Sequence, residues 1–274
     1  MAIRRQDSIA EGIRPKISPL RRGLVHSAHQ ASMNTLLSQK PIPSHERLIM
    51  ALDVPGVDQA KELVEILGDA VSFYKVGLEL CMSGDYFELI YWLNQRNKRV
   101  FADLKFFDVP ETVARAVRAL SHHGVDFATI HGNDSIMKAA AEAKGDLRIL
   151  AVTVLTSLDA GDMRDLGFEC DVQSLVLSRA RRALALGCDG VISSGLEVPA
   201  LRREIDQRLI VVSPGIRPAE NRPEDDQKRV VTVPDAFRNG ADYIVVGRPI
   251  RDAQDPRAAA LKVQSQILEI FSQA

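Results

Sequence analysis

Short apolar runs alternate with longer stretches of helical periodicity from Leu48 to the end of the chain. The runs are rich in Val, Ile, Leu and Phe, and the stretches between them carry apolar residues on one helical face. Continuous apolar strands separated by amphipathic helices indicate a parallel sheet that is covered on both faces. The predicted strands are residues 48–54, 72–77, 100–105, 127–131, 149–153, 190–193, 209–213 and 243–247. The predicted helices include residues 58–67, 111–123, 135–144, 172–186 and 256–271.

Eight strands of this kind predict a closed (β/α)8 TIM barrel of the α/β class. Such barrels take about 250 residues, which fits one catalytic domain over residues 46–274. An open doubly wound sheet is the alternative, and it requires a glycine-rich phosphate-binding turn after the first strand. The first strand instead ends Leu52-Asp53-Val54-Pro55-Gly56, and this sequence disfavours the open sheet.

Residues 1–45 differ from the rest of the chain in charge and in periodicity. They contain seven Lys or Arg residues against only Asp7 and Glu11, and no sustained hydrophobic period. They are interpreted as a basic, flexible extension, or as the result of a start codon upstream of the true one, with Met33 or Met50 nearby. A transit peptide is the alternative, because such leaders are rich in Arg and Ser and poor in acidic residues.

Overall composition and charge limit the kinds of molecule that the protein is expected to bind. The net charge of −1 indicates neither nucleic acid nor an anionic membrane as a partner. No apolar run reaches the roughly 18 residues that a membrane span requires. Cys81, Cys170 and Cys188 lack a CxxC spacing, so they are expected to be reduced thiols in a cytoplasmic protein.

Charged residues collect at the ends of the predicted strands, where barrel enzymes carry their reactive groups. Residues i and i+2 point to the same face of a strand, so Asp103 and Lys105 are expected to face the barrel mouth together. Asp108 follows in the next loop, while Asp53 and Lys75 belong to the first two strands. Neighbouring carboxylates favour the ammonium form of Lys105, which suits a proton donor better than a Schiff-base nucleophile. A purely structural ion pair at a strand end is the alternative.

A second group of residues, after strands seven and eight, has the composition of a phosphate site. Barrels often bind phosphate with these two loops, and an arginine fork matches phosphate oxygens. Gly247 and Arg248 follow the eighth strand, and Arg217 follows the seventh. The segment of residues 214–227 is long enough to form a lid, and Gln227 lies at its far end. Alternatively, Arg248 is a surface arginine that happens to follow a glycine.

The segment Asp103-Leu104-Lys105-Phe106-Phe107-Asp108-Val109-Pro110-Glu111-Thr112 resembles the D-x-K-x-x-D-[IV]-P-x-T signature of the orotidine 5′-monophosphate (OMP) decarboxylase family. Val109 replaces the commoner isoleucine. Further blocks match in the same order, and together they span about residues 48–260: Ala51-Leu52-Asp53, Tyr74-Lys75-Val76-Gly77, Ala151-Val152-Thr153, Leu155-Thr156-Ser157, Ser213-Pro214-Gly215-Ile216-Arg217 and Val246-Gly247-Arg248.

The resemblance implies a lyase of pyrimidine biosynthesis that converts OMP to UMP and carbon dioxide without a cofactor or metal. It implies that Lys105 protonates C6 and that Asp103 flanks the departing carboxylate. Asp53 and Lys75 would bind the ribose hydroxyls and complete an alternating row of charges. The catalytic residues would therefore be Lys105, Asp103, Asp108 and Lys75.

The remaining implied roles concern substrate binding and assembly. Thr156 would contact the pyrimidine ring. Arg217, Gln227, Gly247 and Arg248 would hold the phosphate, with Gln227 the residue most sensitive to loop length. Asp108 and Thr112 would reach across the interface of a homodimer into the partner's site.

Two other functions remain open at this point. A related Mg²⁺-dependent barrel, similar to 3-keto-L-gulonate 6-phosphate decarboxylase or hexulose phosphate synthase, shares the Asp-x-Lys-x-x-Asp element. A non-catalytic phosphate-binding barrel is the third hypothesis. His131, at the end of the fourth strand, has no predicted partner and is interpreted as a packed strand-end residue rather than a general base.

Overall fold

A computed structural model describes residues 36–217 and 229–272. Of the predicted extension over residues 1–45, only residues 36–45 fall within the described part. The compact unit that contains the barrel begins at Leu36, so these ten residues belong to it. The nature of residues 1–35 stays a prediction.

Eight parallel strands close into a barrel in which each strand pairs with its neighbour in sequence and β8 pairs with β1. The predicted TIM barrel is confirmed. The strands are β1 (Leu48–Ala51), β2 (Phe73–Gly77), β3 (Arg99–Phe106), β4 (Phe127–His131), β5 (Arg148–Val152), β6 (Gly190–Ile192), β7 (Ile210–Ser213) and β8 (Tyr243–Val246). β1 ends at Ala51, before the predicted strand end at residue 54, because Asp53 and its neighbours form the loop at the barrel mouth.

Helices surround the barrel, and the five predicted ones are all present. In chain order the helices are α1 (Val57–Leu67), α2 (Leu78–Met82), α3 (Tyr86–Asn94), α4 (Pro110–Leu120), α5 (Asp134–Ala143), α6 (Ala160–Asp165), α7 (Val172–Ala185), α8 (Val198–Glu204), α9 (Val233–Arg238), α10 (Arg248–Arg251) and α11 (Pro256–Ser272). Within the described ranges, none of these helices combines the length and apolar character that a membrane crossing requires.

Helix α4 illustrates how the sequence forms these elements. Pro110 occupies its first turn, where a missing backbone N–H costs no hydrogen bond. Val113, Val117 and Leu120 recur on one face and are buried, so the helix covers the sheet with an apolar stripe. This helix carries the chain away from the end of β3, and its position therefore fixes the loop that contains Asp108.

Alternation along each strand divides the core into two layers. Side chains such as Ile49, Phe73, Phe101 and Phe127 point into the barrel and form one buried cluster. The residues between them in sequence pack outward against the helices. Because inward-facing residues form layers, the next inward position toward the C-terminal end of each strand lies at the barrel mouth.

The opposite, N-terminal end of the barrel is sealed by a cluster of buried polar groups. Asp242, just before β8, is fully buried and pairs with Arg202 at 2.7 Å and with Lys40 at 3.0 Å. The Ser38 hydroxyl also donates to Asp242. Ile42 packs against the interior cluster, so the segment before β1 closes this end.

Candidate active site

A cavity of about 470 Å³ opens at the C-terminal ends of the strands. Asp53, just after β1, and side chains of β2 and β3 supply its charged wall, and the loops after β5, β7 and β8 supply the rest of the lining. The cavity contains most of the residues that the sequence analysis predicted for the site: Asp53, Lys75, Asp103, Lys105, Thr156, Arg217, Gly247 and Arg248.

Four charged side chains form an alternating row along the first wall. Lys75 Nζ lies 2.8 Å from Asp53 Oδ1 and 3.5 Å from Asp103 Oδ2. Lys105 Nζ donates to Asp103 Oδ1 at 2.9 Å. The inner members Lys75 and Asp103 are only 11% and 12% exposed, whereas Lys105 is 33% and Asp53 48% exposed. The row therefore runs from an exposed carboxylate, through a buried pair, to an ammonium that reaches the cavity.

Burial and pairing act in opposite directions on the two inner groups. Burial alone would lower the pKa of Lys75, but Asp103 and Asp53 together raise it above its usual value. Burial alone would raise the pKa of Asp103, but Lys75 and Lys105, together with hydrogen bonds from Lys105 and Thr129, lower it. Both shifts favour the charged forms, so Lys75 and Asp103 form a buried ion pair at the centre of the row.

The strand that carries Asp103 and Lys105 is irregular at this point. Ala102 pairs with Ala128 of β4, but Phe106 pairs with Ile130, so β3 has two extra residues between these pairs. Lys105 lies inside the irregular stretch with φ of +47°, a left-handed conformation that non-glycine residues rarely adopt. Such backbone costs about 1–3 kcal/mol and is typical of functional sites. Both side chains face the cavity as predicted, although through a bulge rather than a regular strand.

The lining supplied by the loops after β7 and β8 combines backbone and arginine. Gly215, after β7, has φ of +77°, which requires glycine, and it lines the cavity beside Pro214. Arg217 is buried, and its Nη1 donates to the carbonyl of Ile216 at 2.9 Å. Arg248 lines the same cavity from the start of α10. Gln227 lies outside the described residues, so its predicted role remains a prediction.

A family model described as "Orotidine 5'-phosphate decarboxylase / HUMPS family" matches residues 46–263 of the chain. This match covers most of the sequence and the whole charged wall. The chain belongs to this family.

Curated relatives agree with the family assignment. An orotidine 5′-phosphate decarboxylase of Methylococcus capsulatus is 75% identical over 88% of this chain and 99% of its own length. Another, from Xanthomonas euvesicatoria, is 51% identical over 84% of this chain and 96% of its own length. A crystal structure of orotidine 5′-phosphate decarboxylase from Lactobacillus acidophilus superposes with a TM-score of 0.72 at 34% identity, covering 81% of this chain and 99% of that chain.

Two predicted residues of the family signature lie outside the cavity. Asp108 is exposed, and its carboxylate accepts a hydrogen bond from the neighbouring Val109 N–H at 2.6 Å. Thr112 is half-buried in the first turn of α4. Among the described residues of this single chain, Asp108 forms no ion pair with Lys105, whose carboxylate partner is Asp103. The expectation from strand geometry that Lys105 sits between both carboxylates is thus not met within one chain.

The structure adds two polar residues that the sequence analysis did not single out. Thr129 of β4 is fully buried and hydrogen-bonds both Asp103 and Lys105. Arg251 of α10 lines the cavity and donates to the carbonyl of Asp53. The one sequence feature that could have indicated Thr129 is its polar side chain among the apolar residues of β4. Arg251 could have been indicated only by its closeness to Arg248 in the sequence.

The rest of the wall is apolar, with Val152, Val154 and Ile192 facing the charged row across the cavity. No group of three or more His, Cys, Asp or Glu residues that could hold a metal ion occurs in residues 36–217 or 229–272. His131 packs edge-on against Phe107 at 5.7 Å, in agreement with its interpretation as a packed strand-end residue. Burial lowers its pKa, as do Arg179 and Lys105 nearby.

Proposed function

We propose that this chain converts OMP to UMP and carbon dioxide without a cofactor, with Lys105 as the proton donor to C6. The observation that carries the proposal is the alternating row Asp53, Lys75, Asp103 and Lys105 in a cavity that also contains Arg248. The named activity of the 75% identical relative supports the choice of substrate.

The chemical step requires charge stabilisation at one carbon. When the bond between C6 and the carboxylate breaks, carbon dioxide leaves and the electron pair stays on C6, outside the π system of the ring. The Lys105 ammonium attracts this developing charge and then transfers a proton to C6. Lys105 becomes a neutral amine and regains its proton from solvent, so the cycle needs no further reactant.

The other members of the row hold Lys105 in place. Asp103 accepts from Lys105 Nζ, and we assign it to the position that flanks the departing carboxylate of the substrate. Lys75 neutralises Asp103 from the other side, and Asp53 pairs with Lys75. Asp53 and Lys75 are the groups that we assign to the ribose hydroxyls, because carboxylate and ammonium are hydrogen-bond acceptor and donor respectively.

The residues of the loops after β5, β7 and β8 are assigned to the ring and the phosphate. Thr156 lies in the loop after β5 and would contact the pyrimidine. Arg217 and Arg248 would provide cationic forks for the phosphate, and Gly247 would provide a backbone without a side chain. Gln227, which lies outside the described residues, is assigned to the phosphate by the family resemblance alone. Binding energy from a phosphate remote from C6 contributes to catalysis when it orders the site around the transition state.

A homodimer is the proposed assembly, with Asp108 and Thr112 directed to the partner's site. Asp108 is flanked by Phe107 and Val109, which are 69% and 63% exposed in the single chain. Exposed apolar side chains beside an acidic residue are typical of a surface that another chain covers. Mixing inactive Lys105→Ala and Asp108→Ala dimers should restore up to about a quarter of wild-type activity, because half of the dimers then contain one intact composite site. No restoration would contradict the composite site.

An ultraviolet assay on OMP, with and without EDTA, tests the function itself. The proposal requires loss of OMP and formation of UMP at the same rate in both conditions. Activity that EDTA abolishes would favour the Mg²⁺-dependent barrels that resemble this family. Calorimetric binding of UMP without turnover of OMP would favour a non-catalytic barrel.

A further inference from the structure

We infer that Thr129 is a positioning residue for the reaction: its buried hydroxyl holds the Asp103 carboxylate and the Lys105 backbone in the geometry that aims the ammonium at the substrate. The inference rests on the proposed function, because it concerns the same two charged groups. It starts from three hydrogen bonds that join Thr129, Asp103 and Lys105 in a closed ring.

The ring depends on the hydroxyl being both acceptor and donor. Thr129 Oγ1 accepts from the Lys105 backbone N–H at 2.9 Å and donates to Asp103 Oδ1 at 2.9 Å. The same Asp103 oxygen accepts from Lys105 Nζ at 2.9 Å. Among the side chains that lack a formal charge, a hydroxyl supplies both functions from a single atom. One atom of Thr129 therefore connects the main chain of the proton donor to its carboxylate partner.

The bulge in β3 explains why a hydroxyl is needed at this position. The two extra residues of β3 remove the Lys105 N–H from the regular ladder with β4. A buried N–H without an acceptor is unfavourable, and the left-handed φ of +47° at Lys105 needs surrounding contacts to hold it. The Thr129 side chain lies opposite the bulge and supplies the missing acceptor.

The place of Thr129 in the barrel makes it rigid. It lies two residues after Phe127 on β4, so both side chains point into the barrel, and Phe127 belongs to the buried interior cluster. Thr129 is fully buried and does not line the cavity, so a substrate would not touch it. Any effect of its removal on turnover must therefore pass through Asp103 and Lys105.

The test compares Thr129→Val, Thr129→Ser and Thr153→Val. Valine has the shape of threonine but neither donates nor accepts, whereas serine retains the hydroxyl. Thr153, directly after β5, is an equally buried threonine whose hydroxyl donates to the carbonyl of Ile192 at 2.8 Å. We expect Thr129→Val to lower kcat for OMP by about 10- to 100-fold, as loss of a supporting partner does at other sites.

The KM for OMP should change by less than about threefold in Thr129→Val, since the phosphate and ribose contacts are intact. Thr129→Ser should restore kcat to within about threefold of wild type, and Thr153→Val should match wild type to the same extent. Calorimetry with UMP gives the concentration of binding-competent sites and corrects kcat for misfolded enzyme.

Three results would overturn the inference: kcat of Thr129→Val within threefold of wild type, Thr129→Ser as slow as Thr129→Val, or Thr153→Val equally slow. If the wild-type enzyme does not turn over OMP, the proposed function fails separately. A crystal structure of Thr129→Val then decides: displacement of Lys105 Nζ from Asp103 supports positioning, and an unchanged 2.9 Å contact refutes it.

Discussion

The barrel carries a cluster of charges at each end, and the two clusters differ in exposure and in whether their charged groups keep donors for a ligand. At the N-terminal end, Arg202 donates to Asp242 and to the carbonyls of Gly240 and Leu209, and both side chains are at most 1% exposed. At the mouth, Lys105 is 33% exposed, and its one acceptor among the described residues is Asp103. An ammonium has three N–H groups, so Lys105 retains donors for a ligand.

This difference separates a stabilising cluster from a reactive one. The closed cluster (Asp242, Arg202, Lys40 and Ser38) joins the segment before β1 to the starts of β7 and β8, and none of these four residues lines the cavity at the mouth. The open cluster faces a cavity of about 470 Å³ and includes a backbone in a rare conformation. We therefore expect substitutions at the mouth to change turnover and substitutions at the opposite end to change stability.

The largest expected effect comes from removing the ammonium at the mouth. Lys105→Ala should lower kcat on the order of 10⁴-fold, because it removes both the proton donor and the charge at C6. The free energy of unfolding should change little. Lys40→Ala, which removes a lysine of the closed cluster, is the control and should leave kcat within about threefold. Turnover of Lys105→Ala within tenfold of wild type would contradict the acid role.

Breaking the closed cluster should produce the reverse result. Asp242→Asn leaves the buried Arg202 guanidinium without its counterion, so the free energy of unfolding should fall by about 3–5 kcal/mol. Urea unfolding measures this change, and kcat per folded molecule should stay at the wild-type value. Glu142→Gln, at an exposed acidic residue paired with Lys138, is the control and should leave the urea midpoint in place. A stable but slow Asp242→Asn enzyme would show that the two ends are coupled.

Arg248→Ala should weaken substrate binding rather than chemistry. Loss of a charged hydrogen-bonding fork to phosphate should raise the KM for OMP by about 10- to 100-fold. Steady-state kinetics would report this increase with a smaller change in kcat. Arg208→Ala removes an arginine whose side chain is 81% exposed, and its KM should equal that of the wild type. An unchanged KM in Arg248→Ala would count against the phosphate assignment.

The smallest expected effect concerns the pH dependence of stability. The pKa of Asp103 is lowered in the folded chain, so its charge contributes stability that is present above the unfolded pKa of 3.8. That contribution is lost as the pH falls through the lowered folded pKa. The difference in unfolding free energy between wild type and Asp103→Asn should therefore be constant from about pH 5 to 8 and shrink below pH 3.8. A difference that grows in acid would reverse the assigned direction of the pKa shift.

Much of the fold and half of the site follow from local patterns in the chain. Apolar runs and helical periodicity predict the strands and helices, because each pattern depends on residues close in sequence. Closure of eight strands then places Asp53, Lys75, Asp103 and Lys105 at one rim without further information. Arg217 and Arg248 follow from the same rule applied to the last two strands.

Other features depend on contacts between distant segments and could not be predicted in this way. The bulge in β3 depends on its register with β4, and register is a property of the pair of strands. Thr129 joins the site only because the bulge leaves the Lys105 N–H in front of its hydroxyl. The orientation of the Asp108 side chain depends on where helix α4 begins after the loop. The spacing of two residues between Lys105 and Asp108 does not specify that geometry.

The chain's own order of apolar and charged residues determined the barrel, its open end and the charges found there, since strand ends in a closed parallel sheet must meet. Tertiary structure alone decided which of those charges keep unsatisfied donors, which are sealed by buried partners, and how the backbone of Lys105 is held. The physical reason is that hydrogen bonding and burial are set by neighbours in space, and those neighbours lie up to about 200 residues apart in sequence, as Ser38 and Asp242 do.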